Sequence, residues 1–96
     1  MKVRFSARAR REANRINNWW IENRPSAPEL FADELGLALE LIRNSPGLGT
    51  IYESPDGAVR RVLLPRTRYH VYYVQEKNEL VLLSVWGAQR KRGPKL

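Results

Sequence analysis

Few side chains here can move a proton near neutral pH. His70 is the single histidine. It alone has an ordinary pKa near neutrality, so any acid–base chemistry must pass through it. One imidazole can serve as one of two proton carriers, never both at once. Arg61, Arg66 and Arg68 lie close to it along the chain. A guanidinium grips phosphate in a bidentate fork but stays charged to above about pH 12 and is a poor proton carrier. This set reads either as a phosphate clamp beside a titrating group, or as a hydrogen-bonded strand histidine on a solvated basic sheet edge that deters aggregation. The chain has no cysteine, which removes thiolate catalysis, disulfide staples and sulfur-ligated zinc together. Zinc held with one histidine would need several carboxylates, and none cluster suitably. No metal or cofactor is expected.

The positioning scaffold must be small. Ninety-six residues form a single domain, 1–96, with 17 Lys+Arg against 10 Asp+Glu and a net charge of +7. Hydrophobic residues make up 43%, and three Trp, four Tyr and two Phe supply bulk for a modest core. A chain this short buries only about 60–65% of its unfolded surface, so its stability is expected to lean on a partner. The longest apolar runs fall well short of the roughly 20 residues a membrane span needs, so a cytoplasmic protein without membrane contact is expected.

The charge is unevenly placed. Residues 1–24 hold seven bases against Glu12 and Glu22; residues 25–57 hold only Arg43 against six acids; residues 58–96 hold nine bases against Glu76 and Glu79. This basic–acidic–basic split suggests one face set for an anionic partner, nucleic acid or an acidic protein segment.

Lys2–Phe5 alternates as a short strand. Ser6 is placed to cap a helix over Ala7 to about Arg24, whose apolar stripe is Ala9, Ala13, Ile16 and Trp20. Trp19, about 100° from Trp20, falls at the stripe's edge or outside it. Ser26-Ala-Pro-Glu29 reads as a capping box opening a second helix that runs to about Asn44. Its stripe is Phe31, Leu35, Ala38 and Ile42, widened by Leu30, Leu37 and Leu41. Residues 50–57 read as loop, with Pro55-Asp56-Gly57 as a turn. Strands are expected at Ala58–Leu64, Tyr69–Gln75 and Leu80–Trp86, joined by short hairpin turns. The order is β-α-α-β-β-β: an α+β domain with a helical hairpin laid on an antiparallel sheet. The basic tail Gly87–Leu96 is expected to be mobile.

Several segments together resemble the RelE/ParE-type toxins of bacterial type II toxin–antitoxin systems. They are Val3-Arg-Phe-Ser-Ala-Arg-Ala-Arg-Arg, Asn44-Ser-Pro-Gly-Leu-Gly, Val59-Arg-Arg-Val-Leu-Leu-Pro, Arg68-Tyr-His-Val-Tyr-Tyr and Val85-Trp-Gly-Ala-Gln-Arg. They occur in order over nearly the whole chain, at the family's length. The resemblance implies a growth-inhibiting, plasmid-stabilising toxin held inactive by an antitoxin encoded beside it. It also implies the helical-hairpin-on-sheet fold.

The family divides by target. RelE-like members cut mRNA on the ribosome; ParE-like members poison DNA gyrase. The nuclease branch implies Lys and Arg on the later strands plus a Tyr or His near the C-terminus. Here Arg60-Arg61 stands where a Lys pair is expected and His70 where Arg is expected. Arg90 matches the last-strand Arg, and neither Tyr nor His follows Trp86. A nuclease would therefore rest on Arg61, Arg66, Arg68, His70 and Arg90, an incomplete set, and the gyrase-directed branch fits better.

A gyrase-directed toxin needs a binding surface. Trp19 and the tail bases Arg90, Lys91, Arg92 and Lys95 are the candidate contacts, since Trp and Arg are frequent interface anchors. The expected partners are an acidic, partly disordered antitoxin, forming toxin–antitoxin hetero-oligomers, and DNA gyrase, or ribosome and mRNA on the alternative branch. A third reading is a small basic nucleic-acid-binding module. It lacks helix-turn-helix spacing and an arranged stacking platform, although Tyr69, Tyr72 and Tyr73 share one strand.

Overall fold

The computed structural model describes residues 1–52 and 57–96. The chain runs β1 (Lys2–Phe5), α1 (Ala7–Asn23), α2 (Leu30–Asn44), a 3-10 turn (Pro46–Leu48), β2 (Thr50–Ile51), β3 (Arg60–Leu64), β4 (Tyr69–Glu76) and β5 (Glu79–Gly87). The five strands form one sheet in the order β1-β5-β4-β3-β2. β2 to β5 are antiparallel, as expected, whereas β1 lies parallel to β5, so the sheet is mixed. A parallel neighbour requires a long crossover, which α1, α2 and the β2–β4 strands supply. The expected turn Pro55-Asp56-Gly57 falls largely outside the described residues; Gly57 itself is left-handed, at φ 66.

The first helix starts where its cap predicts: the Ala9 amide donates to Ser6 Oγ at 3.0 Å. The start of α2 differs. It opens at Leu30 with no side-chain cap, and Ser26 and Glu29 form no capping box. A box capped at Ser26 would make Ala27 the first helical residue, but Ala27 precedes Pro28 and is pushed out of the helical region. Residues 24–30 instead take turns closed by the Ala27 amide on the Arg24 carbonyl, 2.9 Å, and the Leu30 amide on the Ala27 carbonyl, 3.3 Å.

The core lies between the helices and one face of the sheet. Ala9, Ala13, Ile16, Phe31, Leu35 and Ile42 meet Leu64, Val71, Tyr73, Leu80, Leu82 and Val85. Leu37 and Leu41 do not widen this stripe; they are 69% and 61% exposed on the outer side of α2, and Leu39 packs inward instead. One sheet face can cover only one helical stripe.

Two carboxylates on the inward stripes hold the layers together. Glu12 of α1, buried, accepts from Ser84 Oγ at 2.7 Å and from the Val85 amide at 3.1 Å on β5. Glu34 of α2 accepts from the Arg66 amide at 2.7 Å, the Thr67 amide at 2.9 Å and Thr67 Oγ1 at 2.6 Å. It thereby fixes the β3–β4 turn.

The tail is not free-hanging. Trp86 Nε1 donates to the Arg92 carbonyl at 2.7 Å, Tyr52 Oη to the Pro94 carbonyl at 3.4 Å, and the Arg8 guanidinium to the Lys95 carbonyl. Pro94 is buried, and a Cβ at Gly93 would run into Tyr52 Oη. The tail is held by its backbone carbonyls, so its basic side chains stay exposed.

Candidate functional site: an arginine–aromatic groove

Three segments distant in sequence converge at one end of the sheet. The first is the last turn of α1. Trp20 Nε1 donates to Tyr69 Oη at 3.2 Å, and Tyr69 packs edge-on against Phe31, with centroids 5.3 Å apart. With Trp20 pinned inward, its neighbour Trp19 is left 43% exposed. Arg24, just past the helix, lays its guanidinium 4.9 Å from the Trp19 ring and 5.8 Å from Trp20.

The second segment is the turn held by Glu34. It ends at Arg68, which sits at φ 68 in the left-handed region, where non-glycine residues are uncommon. The Arg68 amide donates to the Leu64 carbonyl at 2.8 Å, and its carbonyl accepts from the Ala88 amide at 2.9 Å. The third segment is the end of β5, where the Arg90 guanidinium stacks 4.2 Å from the Trp86 ring.

Together these segments line an open groove of about 450 Å³, with Trp19, Trp20, Arg24, Arg68, Tyr69 and Arg90 among its walls. A hollow of about 260 Å³ between Arg15, Trp19, Trp86 and Arg90 shares part of the wall. The ion pairs found among the described residues are Arg4–Glu79, Arg8–Glu12 and Arg43–Glu40. None neutralises Arg24, Arg68 or Arg90.

The expected nuclease residues are split between the two faces. On β4, Tyr69 and Val71 face the helices, so His70 points the other way. There it pairs across the sheet with Leu63 and Trp86, and Arg61 pairs with Tyr72. Arg61 reaches Tyr72 Oη at 3.4 Å and lies 5.4 Å from the Tyr52 ring. Its neighbour Arg60 donates to the Gly49 carbonyl at 2.7 Å. Arg61 and His70 line a separate hollow of about 390 Å³ with Leu48, Thr50 and Leu63.

Burial lowers the pKa of His70 below its ordinary 6.5, and the charges of Arg61 and Arg68 lower it further. Both effects favour its neutral form. Arg66 is exposed on its turn. Lys91, Arg92 and Lys95 are exposed on the folded-back tail and are not among the groove's walls. Tyr69 and Tyr73 face the core while Tyr72 faces away, so the three tyrosines form no common platform. No group of His, Cys, Asp or Glu among the described residues could hold a metal ion, and no described helix is long and apolar enough to cross a membrane.

Trp19 and Arg90, both candidates by residue type, lie in the groove; Arg24 and the two anchoring carboxylates, Glu12 and Glu34, were not among the candidates. The available signal was an acid inside an apolar stripe: Glu12 falls between Ala9 and Ile16, and Glu34 between Phe31 and Ala38. Burial alone would raise the pKa of Glu34. The hydrogen bonds from Thr67 and from the Arg66 and Thr67 amides, with the Arg66 charge, outweigh burial and hold it below 4.5. Its ionised form therefore favours the folded state. That contribution is complete above the unfolded value and is lost as pH falls through the lowered folded one. Urea unfolding midpoints should drop as pH is taken below about 4.5, and Glu34→Gln should show a smaller drop over the same range.

The family model described as "ParE toxin of type II toxin-antitoxin system, parDE" matches residues 3–92. A solved structure described as the chromosomal ParDE toxin–antitoxin system from P. aeruginosa shares the fold, with a TM-score of 0.79 at 15% identity. The alignment covers 93% of this chain and 97% of that one. No protein of curated function matches the chain in sequence. With nine-tenths of its length inside the family's pattern and the two-helix, five-stranded architecture in place, the chain belongs to the family of ParE toxins of type II toxin–antitoxin systems.

Proposed function

We propose that this toxin arrests growth by binding DNA gyrase in the cytoplasm through its arginine–aromatic end, without making or breaking bonds itself. The observation that carries this reading is the composition of the groove. Arg24, Arg68 and Arg90 stand beside the exposed Trp19 in a groove whose walls include no histidine and no carboxylate, while His70 lines a separate hollow with Arg61. Such a surface suits anchoring a macromolecule. The left-handed Arg68 supports it further. A left-handed non-glycine backbone costs on the order of 1 kcal/mol, and such positions cluster at functional sites.

Two assays on purified toxin test the reading: gyrase supercoiling, and cleavage of mRNA on programmed ribosomes. Inhibited supercoiling with intact mRNA is the expected pair of results. Cleaved mRNA with unaffected gyrase would reverse the assignment to a ribosome-dependent nuclease.

The same proposal includes an antitoxin that silences the toxin. A chain of net charge +7 suits an acidic, amphipathic segment that orders on binding. The cleft of about 300 Å³ between the helices, walled by Phe5, Ala13, Phe31 and Leu39 and flanked by Arg10, offers such a segment an apolar floor. At one hundred times its Kd, a partner that binds only the folded state adds about 2.7 kcal/mol of stability. The complex should therefore melt several degrees above the free toxin, and equal melting temperatures would count against this partner.

A further inference from the structure

The groove combines two features that suit a nucleic-acid strand as well as a protein partner. One is a flat indole, Trp19, left open to solvent while its neighbour is pinned inward. The other is a set of guanidinium groups around it, Arg24, Arg68 and Arg90, none of which forms an ion pair among the described residues. Arg24 already lies against one side of the Trp19 ring, at 4.9 Å. An indole beside cations is what a nucleic-acid strand recognises: the ring takes a base face and the cations take successive phosphates. The groove's volume, about 450 Å³, falls in the range of roughly 300–1,000 Å³ typical of clefts that hold small ligands. A base face is available for stacking only where the strand is unpaired.

We propose that this groove binds an unpaired stretch of DNA strand, with a base stacked on Trp19 and the flanking phosphates held by Arg24, Arg68 and Arg90. The inference rests on the gyrase reading for its setting, because gyrase works on DNA. Duplex DNA and an acidic polypeptide are the competing occupants.

Fluorescence anisotropy of the full-length toxin with labelled dT15, a 15-base-pair duplex and a labelled polyglutamate peptide tests it. Binding of dT15 in preference to the other two is expected. Trp19→Ala should weaken dT15 binding about 5- to 150-fold, the range for removing one base–aromatic stack, and Trp19→Phe should restore most of it. Arg68→Ala with Arg90→Ala should lower the slope of log affinity against log salt by about 1.4, close to 0.7 for each phosphate no longer neutralised.

No dT15 binding in low salt, preference for the duplex or for polyglutamate, or dT15 binding indifferent to Trp19→Ala would each overturn the proposal. Failure here with supercoiling still inhibited removes the strand from the groove and leaves the gyrase reading standing. Strand binding with gyrase unaffected does the reverse.

Discussion

Charge reversal at Arg68 and Arg90 together should abolish growth arrest and raise the toxin concentration needed for half-inhibition of gyrase by at least about 100-fold. Removing one partner of a close, desolvated charge pair at an interface costs about 2–5 kcal/mol, and a like charge put in its place adds repulsion. The fold should tolerate both changes. Arg68 serves the turn through its backbone, donating to Leu64 and accepting from Ala88, and Arg90 donates its amide to Gly87. The side chains form no ion pair among the described residues. The structural loss is confined to the Arg90–Trp86 stack, worth about 0.5–1 kcal/mol at an exposed site. A supercoiling titration beside a thermal melt separates the effects. Unchanged inhibition by the folded double variant would remove the groove from the account.

The second large effect concerns stability. Glu12→Ala should cost about 2–4 kcal/mol, because Ser84 Oγ and the Val85 amide would both lose their buried acceptor. For a domain of this size that is a large share of a total near 5–15 kcal/mol. Arg8 would lose its partner too, 3.3 Å away. Since Arg8 holds the Lys95 carbonyl, the tail should loosen along with α1. Glu12→Gln keeps one acceptor oxygen and should cost less than half as much. Urea denaturation measures both variants, and a destabilisation below about 0.5 kcal/mol for Glu12→Ala would mean that water or a neighbour replaces the carboxylate.

The helices and main strands were readable because local spacing determines them. Ala9, Ala13 and Ile16 mark one buried stripe, and Phe31, Leu35 and Ile42 the other. What spacing alone does not determine was misplaced. The Ser26 capping box satisfied the side-chain rule and failed the backbone one, since Ala27 precedes a proline. Leu37 and Leu41 were apolar enough for the core, but they sit on the side of α2 that the sheet does not cover. The two-residue β2 is too short to show an alternation, and nothing in Lys2–Phe5 distinguishes a parallel edge from an antiparallel one.

The site was the least legible part, for a topological reason. Glu12 meets Ser84 across 72 positions and Glu34 meets Thr67 across 33. The groove needs the end of α1, the β3–β4 turn and the end of β5 in one place. Trp19 and Arg90 could be singled out by residue type. Their meeting with Arg24 and Arg68 follows from the sheet order and from Glu34's hold on the turn.

Direct association with gyrase tests the proposed target most closely. In sedimentation of the purified toxin with purified gyrase, the account predicts co-migration that weakens as salt is raised and disappears with the Arg68/Arg90 charge reversal. Separate migration at low salt, from toxin that still halts growth when expressed alone, would contradict it.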